Sequence, residues 1–442
     1  MTASTAEQPA TDLEPAADTL LAGLSEATVL AAMTPQLPTA LVSAVLSSAR
    51  RHDVQLTLMV ADLTGRWDFL DDEAKSDAAA GRLGLLALAG AVPRHLEGLV
   101  GHLPVSLWDV DRLIGTATLP VDVFLARVGA GDRPGWASYG DMVGYSPSAL
   151  DVAGKVAFEV TPHPQIHPGA GGIPMSRADV VVYGAYAPPD LAAGRPLTRE
   201  QHCVARRVAE LIPDGATLQI RVGAVPTAAI GGLTGKVDLG MHSGILAGEL
   251  QPLIAGGVIT GRLKTSQGGH HVATGLLGGD PTAWGGDVLL APISRTHHPA
   301  RLLEHENLWA ITSALEVDLA GQVNAEYAGD RKAASGGGQI DFVRAAHASS
   351  RGAAVIALPA RTGSGAARIV PRLAHPVTTT GGDVDYVVTE HGVARLAGLS
   401  AEQRSQALID VAHPDDRPLL RAAAAAEAPT EHGQRPKADN EP

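Results

Sequence analysis

Few residues in this chain combine a reactive type with a setting that would let them react. Glu390 ends the apolar run of VDYVVTEHG, which places a carboxylate at the end of a buried strand. Open α/β sheets take up ligands at that edge. Ser243 stands next to His242, but adjacent residues of a strand face opposite ways, so the two do not form a nucleophile and its base. Glu249 sits in a helical pattern, LAGELQPLIAGG, and reads as a surface carboxylate. The pairs His270–His271 and His297–His298 lack the i,i+4 spacing with which one helix face chelates an ion, so no metal site is expected. Cys203 is alone, which excludes an internal disulfide and any paired-cysteine metal site.

The elements that position these residues read as α/β. Apolar runs at 54–60, 121–128, 155–160, 178–186, 216–223, 287–293 and 353–360 lack in/out alternation, as expected of parallel strands covered on both faces. Helical patterns fill 199–211 and 401–411. The second opens with Ser400, carries Gln403 three residues on as in a capping box, and is followed by Pro414. The Pro/Gly-rich segment 188–198 marks a domain boundary. Residues 1–18 and 427–442 read as polar, unstructured tails around an N-terminal domain (19–190) and a C-terminal domain (191–426), two open α/β units.

Composition narrows the function classes. With 442 residues, 45% hydrophobic, the chain can bury two cores of ordinary size, built from aliphatic residues because aromatics make up only 3%. Mean hydropathy is +0.08, and no apolar stretch approaches the roughly 20 residues of a membrane span. The N-terminus has neither a basic nor an apolar segment of the secretory kind, so a cytoplasmic protein is expected. A net charge of −13 argues against nucleic acid as a partner but leaves room for one phosphorylated small molecule, held by a few N–H groups or one or two cations.

Five blocks then carry a resemblance. The segment VDYVVTEHGVARLAGLSAEQRSQALIDVAHPDDR (384–417) closely resembles the C-terminal signature of the acetyl-CoA hydrolase/transferase family, which includes acetate and 4-hydroxybutyrate CoA-transferases. LIPDGATLQIRVGAVP (211–226), LGMHSGILAGELQPLIAGGVITGRLKT (239–265), SALEVDLAGQVNAE (313–326) and GGGQIDFVRAA (336–346) agree in the same order. The resemblance implies two CoA-transferase-type domains, no permanently bound cofactor, coenzyme A as co-substrate, and an acyl-CoA and a small carboxylate as partners. A homodimer or a related partner subunit also fits. It places CoA at the domain interface, beside the loop Gln219, Arg221, Val222, Gly223, Ala224 and Val225 and beside Gly337 and Gly338, whose N–H groups would face the substrate carbonyl. Arg221 stands where the family usually has Gly; it would either pair with a CoA phosphate or block the usual approach. Asn324 would supply an amide to an oxyanion, and Glu390 would orient groups in the site or act as a base. A Gly-rich turn that the family carries after its first strand is replaced by TVLAAMTPQLPTALV (28–42).

One implied residue is missing. The family's glutamate nucleophile ends a block reading Leu-Gly-x-His-(Thr/Ser)-Glu, which here is Leu239 to Gly244. Glycine cannot form the mixed anhydride and glutamyl-CoA thioester of that mechanism, and losing a covalent nucleophile costs on the order of 10⁴–10⁶ in rate. Glu316 is a residue the family often carries without using it as nucleophile. The expectation is an acyl-CoA-processing protein with altered chemistry, by thioester hydrolysis or non-standard transfer. The alternatives are transfer through a displaced carboxylate such as Glu249, and CoA binding without turnover.

Overall fold

The computed structural model describes residues 12–161, 167, 169–184 and 196–427. The N-terminal unit is a nine-stranded sheet. Seven of its strands are parallel, in the spatial order Val100–His102, Leu83–Gly90, Gln55–Asp62, Glu26–Ala31, Val123–Ala130, Lys155–Thr161 and Val180–Tyr183. Trp136–Ser138 and Gly172–Pro174 add an antiparallel flap. The C-terminal sheet runs Gly240–Met241, Thr217–Ile220, Leu308–Thr312, Ala353–Ala357 and Tyr386–Thr389, all parallel, and ends on the antiparallel Gly392–Arg395.

Covering both faces explains the unbroken apolar runs. Val29 packs into one hydrophobic cluster while its neighbour Leu30 packs into another across the sheet. Val355 and Ile356 divide in the same way in the C-terminal unit. All seven expected runs contain strands. Glu26–Ala31, Leu83–Gly90 and Leu308–Thr312 are strands beyond these seven runs. Helices Arg199–Leu211 and Ala401–Val411 have the expected bounds, and Ser400 and Gln403 form the expected capping box.

One tail assignment is corrected. Residues 13–18 belong to helix Leu13–Leu21, whose Ala16, Ala17, Leu20 and Leu21 are buried. Their i, i+3, i+4 spacing makes an apolar stripe, and Asp18 accepts from Ser48 Oγ and Arg51 on the helix Thr39–Arg51. At the other end the helix Arg417–Glu427 reaches the last described residue, so 428–442 lie outside the description, as does most of the proposed boundary at 188–198.

The two units are stitched by backbone hydrogen bonds. Val92 N–H donates to Ala333 O (3.0 Å), Ser335 N–H to Gly90 O (3.1 Å), Leu107 N–H to Gly337 O (3.0 Å) and Val143 N–H to Thr274 O (2.9 Å). No described helix is long and apolar enough to cross a membrane.

Candidate active site

Each main sheet reverses its winding direction once. In the N-terminal unit the chain moves outward from Glu26–Ala31, then returns to lay Val123–Ala130 on its other side. In the C-terminal unit it goes from Thr217–Ile220 to Gly240–Met241, then crosses to Leu308–Thr312. Crevices form beyond the carboxyl ends of strands at such reversals. Met33, just past the first N-terminal strand, and Arg221, just past Thr217–Ile220, line one cavity of about 260 Å³ between the units. The segment 28–42 therefore contributes Met33 to this wall.

The cavity gathers much of the expected site. Gln219, Arg221, Val222, Gly244, Gly337 and Gly338 all line it. Gly223, Ala224 and Val225 do not; they turn into the helix Ala224–Ile230 behind the wall. A Cβ on Gly223 would meet Pro226 and Ser313 at an ordinary 3.7 Å, so close backbone approach is not what that glycine provides. Gly337 has φ +60°, a conformation that glycine adopts without strain. The N–H groups of Gly337 and Gly338 have no acceptor among the described residues, and they precede the helix Gln339–Ala348. Unpaired donors at a helix N-terminus suit a developing negative charge.

Two expected residues lie elsewhere. Asn324 is completely buried, but its amide donates to Glu316 Oε2 (2.9 Å) and Tyr327 O (2.8 Å), and its oxygen accepts from Glu326 and Tyr327 N–H. Both amide hydrogens are spent on holding a turn. Glu390 follows Tyr386–Thr389 at the expected carboxyl edge, but it does not line the cavity. Its Oε2 accepts from Ala360 N–H (2.8 Å), and its carbonyl accepts from Arg207 (3.3 Å).

No carboxylate lines the cavity among the described residues; its titratable side chains are Arg221 and His297. Glu249 is exposed and outside it. A Cβ on Gly244 would stand 3.2 Å from His297 Nε2, and one on Gly338 only 2.7 Å from the same atom. His297 thus fills the space in which a side chain at 244 would begin, and glycine at 338 is what admits the ring. Thr296 Oγ1 lies 2.8 Å from His297 Nδ1 and donates to Pro292 O (3.3 Å). In that arrangement Nδ1–H donates to Thr296, and Nε2 presents its lone pair to the cavity. Burial pulls the imidazole down to about 3, so it is neutral at ordinary pH.

The motif histidine supports this ring from behind. His305 Nε2 donates to His242 Nδ1 (3.0 Å), and His242 Nε2 donates to Thr296 O (3.0 Å). The Phe342 ring packs edge-on against His297 at 4.8 Å. With both nitrogens of His242 engaged, Ser243 has no base; its Oγ donates to Ile220 O (3.4 Å). Nothing local in the sequence distinguishes His297 except its pairing with His298, because the fold alone sets it against Gly244. Among the described residues no three His, Cys, Asp or Glu side chains converge on a metal position.

Comparison with known proteins agrees with this architecture. Residues 286–424 match the acetyl-CoA hydrolase/transferase C-terminal domain. The chain is 35% identical to the 4-hydroxybutyrate coenzyme A transferase of Clostridium kluyveri over 331 residues, 73% of this chain and 77% of that protein. The chain belongs to the acetyl-CoA hydrolase/CoA-transferase family. Another member, the butyryl-CoA:acetate CoA-transferase of Anaerostipes caccae, is 32% identical over 73% of this chain and 76% of its own. Among solved structures, RipA from Yersinia pestis superposes with a TM-score of 0.83 at 29% identity, covering 94% of this chain and 97% of RipA. The 4-hydroxybutyrate CoA-transferase of Porphyromonas gingivalis gives 0.73 at 25%, covering 93% and 96%.

Proposed function

We propose that the interdomain cavity binds an acyl-CoA and hydrolyses its thioester, with water as the nucleophile and His297 as the general base. The observation that carries this reading is the position of His297 Nε2, in contact with the space before Gly244, in a cavity without a carboxylate. Transfer through a displaced carboxylate would need one within reach, and Glu249 and Glu390 lie outside.

A water held by Nε2 forms a bond to the thioester carbon while its proton passes to the imidazole. The tetrahedral oxyanion is met by the N–H groups of Gly337 and Gly338. Its negative charge raises the pKa of His297 at the moment the base is needed. The C–S bond then breaks, the thiolate recovers the proton from Nε2, and the products are free CoA and the acid, which ionises.

The rest of CoA would lie in a neighbouring groove of about 770 Å³ that shares Gly336 and Gly337 with the cavity. The pantetheine arm would cross those glycines, where no side chain obstructs it.

Thiol release from acetyl-, propionyl- and butyryl-CoA, with and without acetate, tests the reading. Release independent of acetate is expected. Exchange that requires acetate would restore carboxylate transfer, and tight CoA binding without release would make the protein a binding module.

A further inference from the structure

The loop that carries the two glycine donors is held by a helix of the other unit. Gly336, Gly337 and Gly338 have no side chain that could fix them, and glycine loses more freedom on ordering than any other residue, so the loop needs an anchor outside itself. Helix Leu107–Gly115 of the N-terminal unit supplies it. A helix begins with N–H groups that find no partner within it. Here Asp109 N–H donates to the N-cap Ser106 Oγ (3.2 Å), while its two predecessors reach across the interface. Leu107 N–H donates to Gly337 O (3.0 Å), and Trp108 N–H donates to Asp341 Oδ2 (3.2 Å). The same turn touches the far side of the site, because the Trp108 ring packs edge-on against His298 at 4.4 Å.

The Asp341 carboxylate meets no cation in an ion pair among the described residues. Arg344, one turn along its helix, pairs with Asp383 (3.4 Å), and Asp109 pairs with Arg112 (2.9 Å). Lys332 and Glu326, which line the same groove as Asp341, pair with each other at 3.0 Å. The positive end of helix Leu107–Gly115 is therefore what its charge meets. We infer that Asp341 is a positioning residue, which grips the first turn of that helix and so keeps the N–H groups of Gly337 and Gly338 aimed into the cavity.

The grip depends on pH. Withdrawal from water raises Asp341 to about 7, with Ser106 and Trp108 acting against it, Asp109 adding to it and Arg344 opposing. Such a group is about one tenth ionised at pH 6 and about nine tenths at pH 8. Protonation removes the charge that attracts the helix, so the loop loosens as pH falls through 7. His297, at about 3, does not titrate in this window. The inference rests on the hydrolysis reading of the cavity and adds a regulation to it.

Steady-state thiol release from butyryl-CoA between pH 6 and 8 tests it. In the unmodified protein kcat should fall about fivefold from pH 8 to pH 6, with KM within about threefold. Asp341→Asn keeps the shape without the charge, so its kcat should lie about tenfold lower at pH 8 and stay flat to pH 6, the scale of a small misplacement of donors. A kcat for Asp341→Asn within about twofold of the unmodified value at pH 8 would overturn the inference while leaving hydrolysis intact. So would an acid limb that survives the substitution, or a change confined to KM. Hydrogen–deuterium exchange reads the grip without turnover: the amides of Leu107 and Trp108 should exchange about fivefold faster in Asp341→Asn, with helix Ala401–Val411 unchanged. In the unmodified protein the same two amides should lose protection between pH 8 and pH 6, once the intrinsic rate is divided out, which needs no variant. If no thioester is cleaved, the hydrolysis reading fails, and exchange decides the grip separately; equal protection at both pH values would overturn it.

Discussion

The carboxyl edge of the C-terminal sheet has two corners that sequence reasoning treated alike. At one, after Thr217–Ile220, Arg221, Gly244 and His297 face an interdomain cavity. At the other, after Tyr386–Thr389, Glu390 sits among Ala360, Arg207 and His391. The first corner keeps polar atoms facing open volume: the lone pair of His297, the charge of Arg221 and the N–H groups of Gly337 and Gly338. The second uses its polar atoms to hold loops together. A family motif therefore locates a sheet edge, but hydrogen bonds already made decide which side chains along it are available to a substrate.

The largest expected difference between the corners lies in turnover. His297→Ala should lower kcat for thioester hydrolysis by about 10²–10⁴-fold, the usual contribution of a general base, with a smaller change in KM. Glu390→Ala should leave kcat within about threefold, because Glu390 does not line the cavity. Steady-state thiol release measures both, and the reverse ranking would move the chemistry to the Glu390 corner.

Gly244→Glu sharpens the same contrast. Its Cβ would press on His297 Nε2 at 3.2 Å, so the ring must yield by a few tenths of an ångström, and the new carboxylate would occupy the water position. Hydrolysis should fall by about 10²-fold, as for other misplacements of a reacting group. Mass spectrometry should find CoA tied to residue 244 before borohydride treatment and, after it, the side chain reduced to its alcohol with CoA released, and an unchanged hydrolysis rate would show that water attacks from elsewhere.

At the structural corners the expected effect is on stability. Glu390→Ala and Asn324→Ala each leave buried backbone or side-chain partners unpaired, which costs about 1–3 kcal/mol. Denaturant midpoints measure this, and a midpoint unchanged in Asn324→Ala would mean that its amide is free after all.

The rings behind the first corner set a pH slope. Burial draws His297 to about 3 and His271 and His305 to about 4, and holds His242 well below its ordinary value. Their folded pKa values lie below the unfolded 6.5, so below about pH 6.5 the unfolded chain binds more protons. Stability should fall as pH drops from 6.5 toward 4, by up to about 1.4 kcal/mol per pH unit for each such group. His305→Phe should flatten that slope, as thermal melts at pH 7, 6 and 5 would show; identical slopes would show that these rings are not the source.

Much of the fold was legible because parallel strands covered on both faces announce themselves as unbroken Val- and Ile-rich runs. Leu83–Gly90 escaped because LGLLALAG has no β-branched residue, and helix Leu13–Leu21 because its stripe is short and half alanine. Within the site, Arg221, Gly244, Gly337 and Gly338 were legible as neighbours because ordered blocks fix the fold that joins them. His297 was not, since its role depends on a contact across 53 residues of chain with a glycine that leaves it room. Asn324 and Glu390 were misplaced for the opposite reason: their motifs match, but their hydrogen bonds are consumed internally.

Single turnover of an acyl-CoA in ¹⁸O-labelled water, followed by mass spectrometry of the released acid and of the intact protein, tests water as the nucleophile most directly. The expected result is one ¹⁸O in the acid at the first turnover, an unlabelled protein and no CoA bound to it. CoA or ¹⁸O on a protein carboxylate, such as Glu249, would contradict it and restore a covalent glutamyl mechanism.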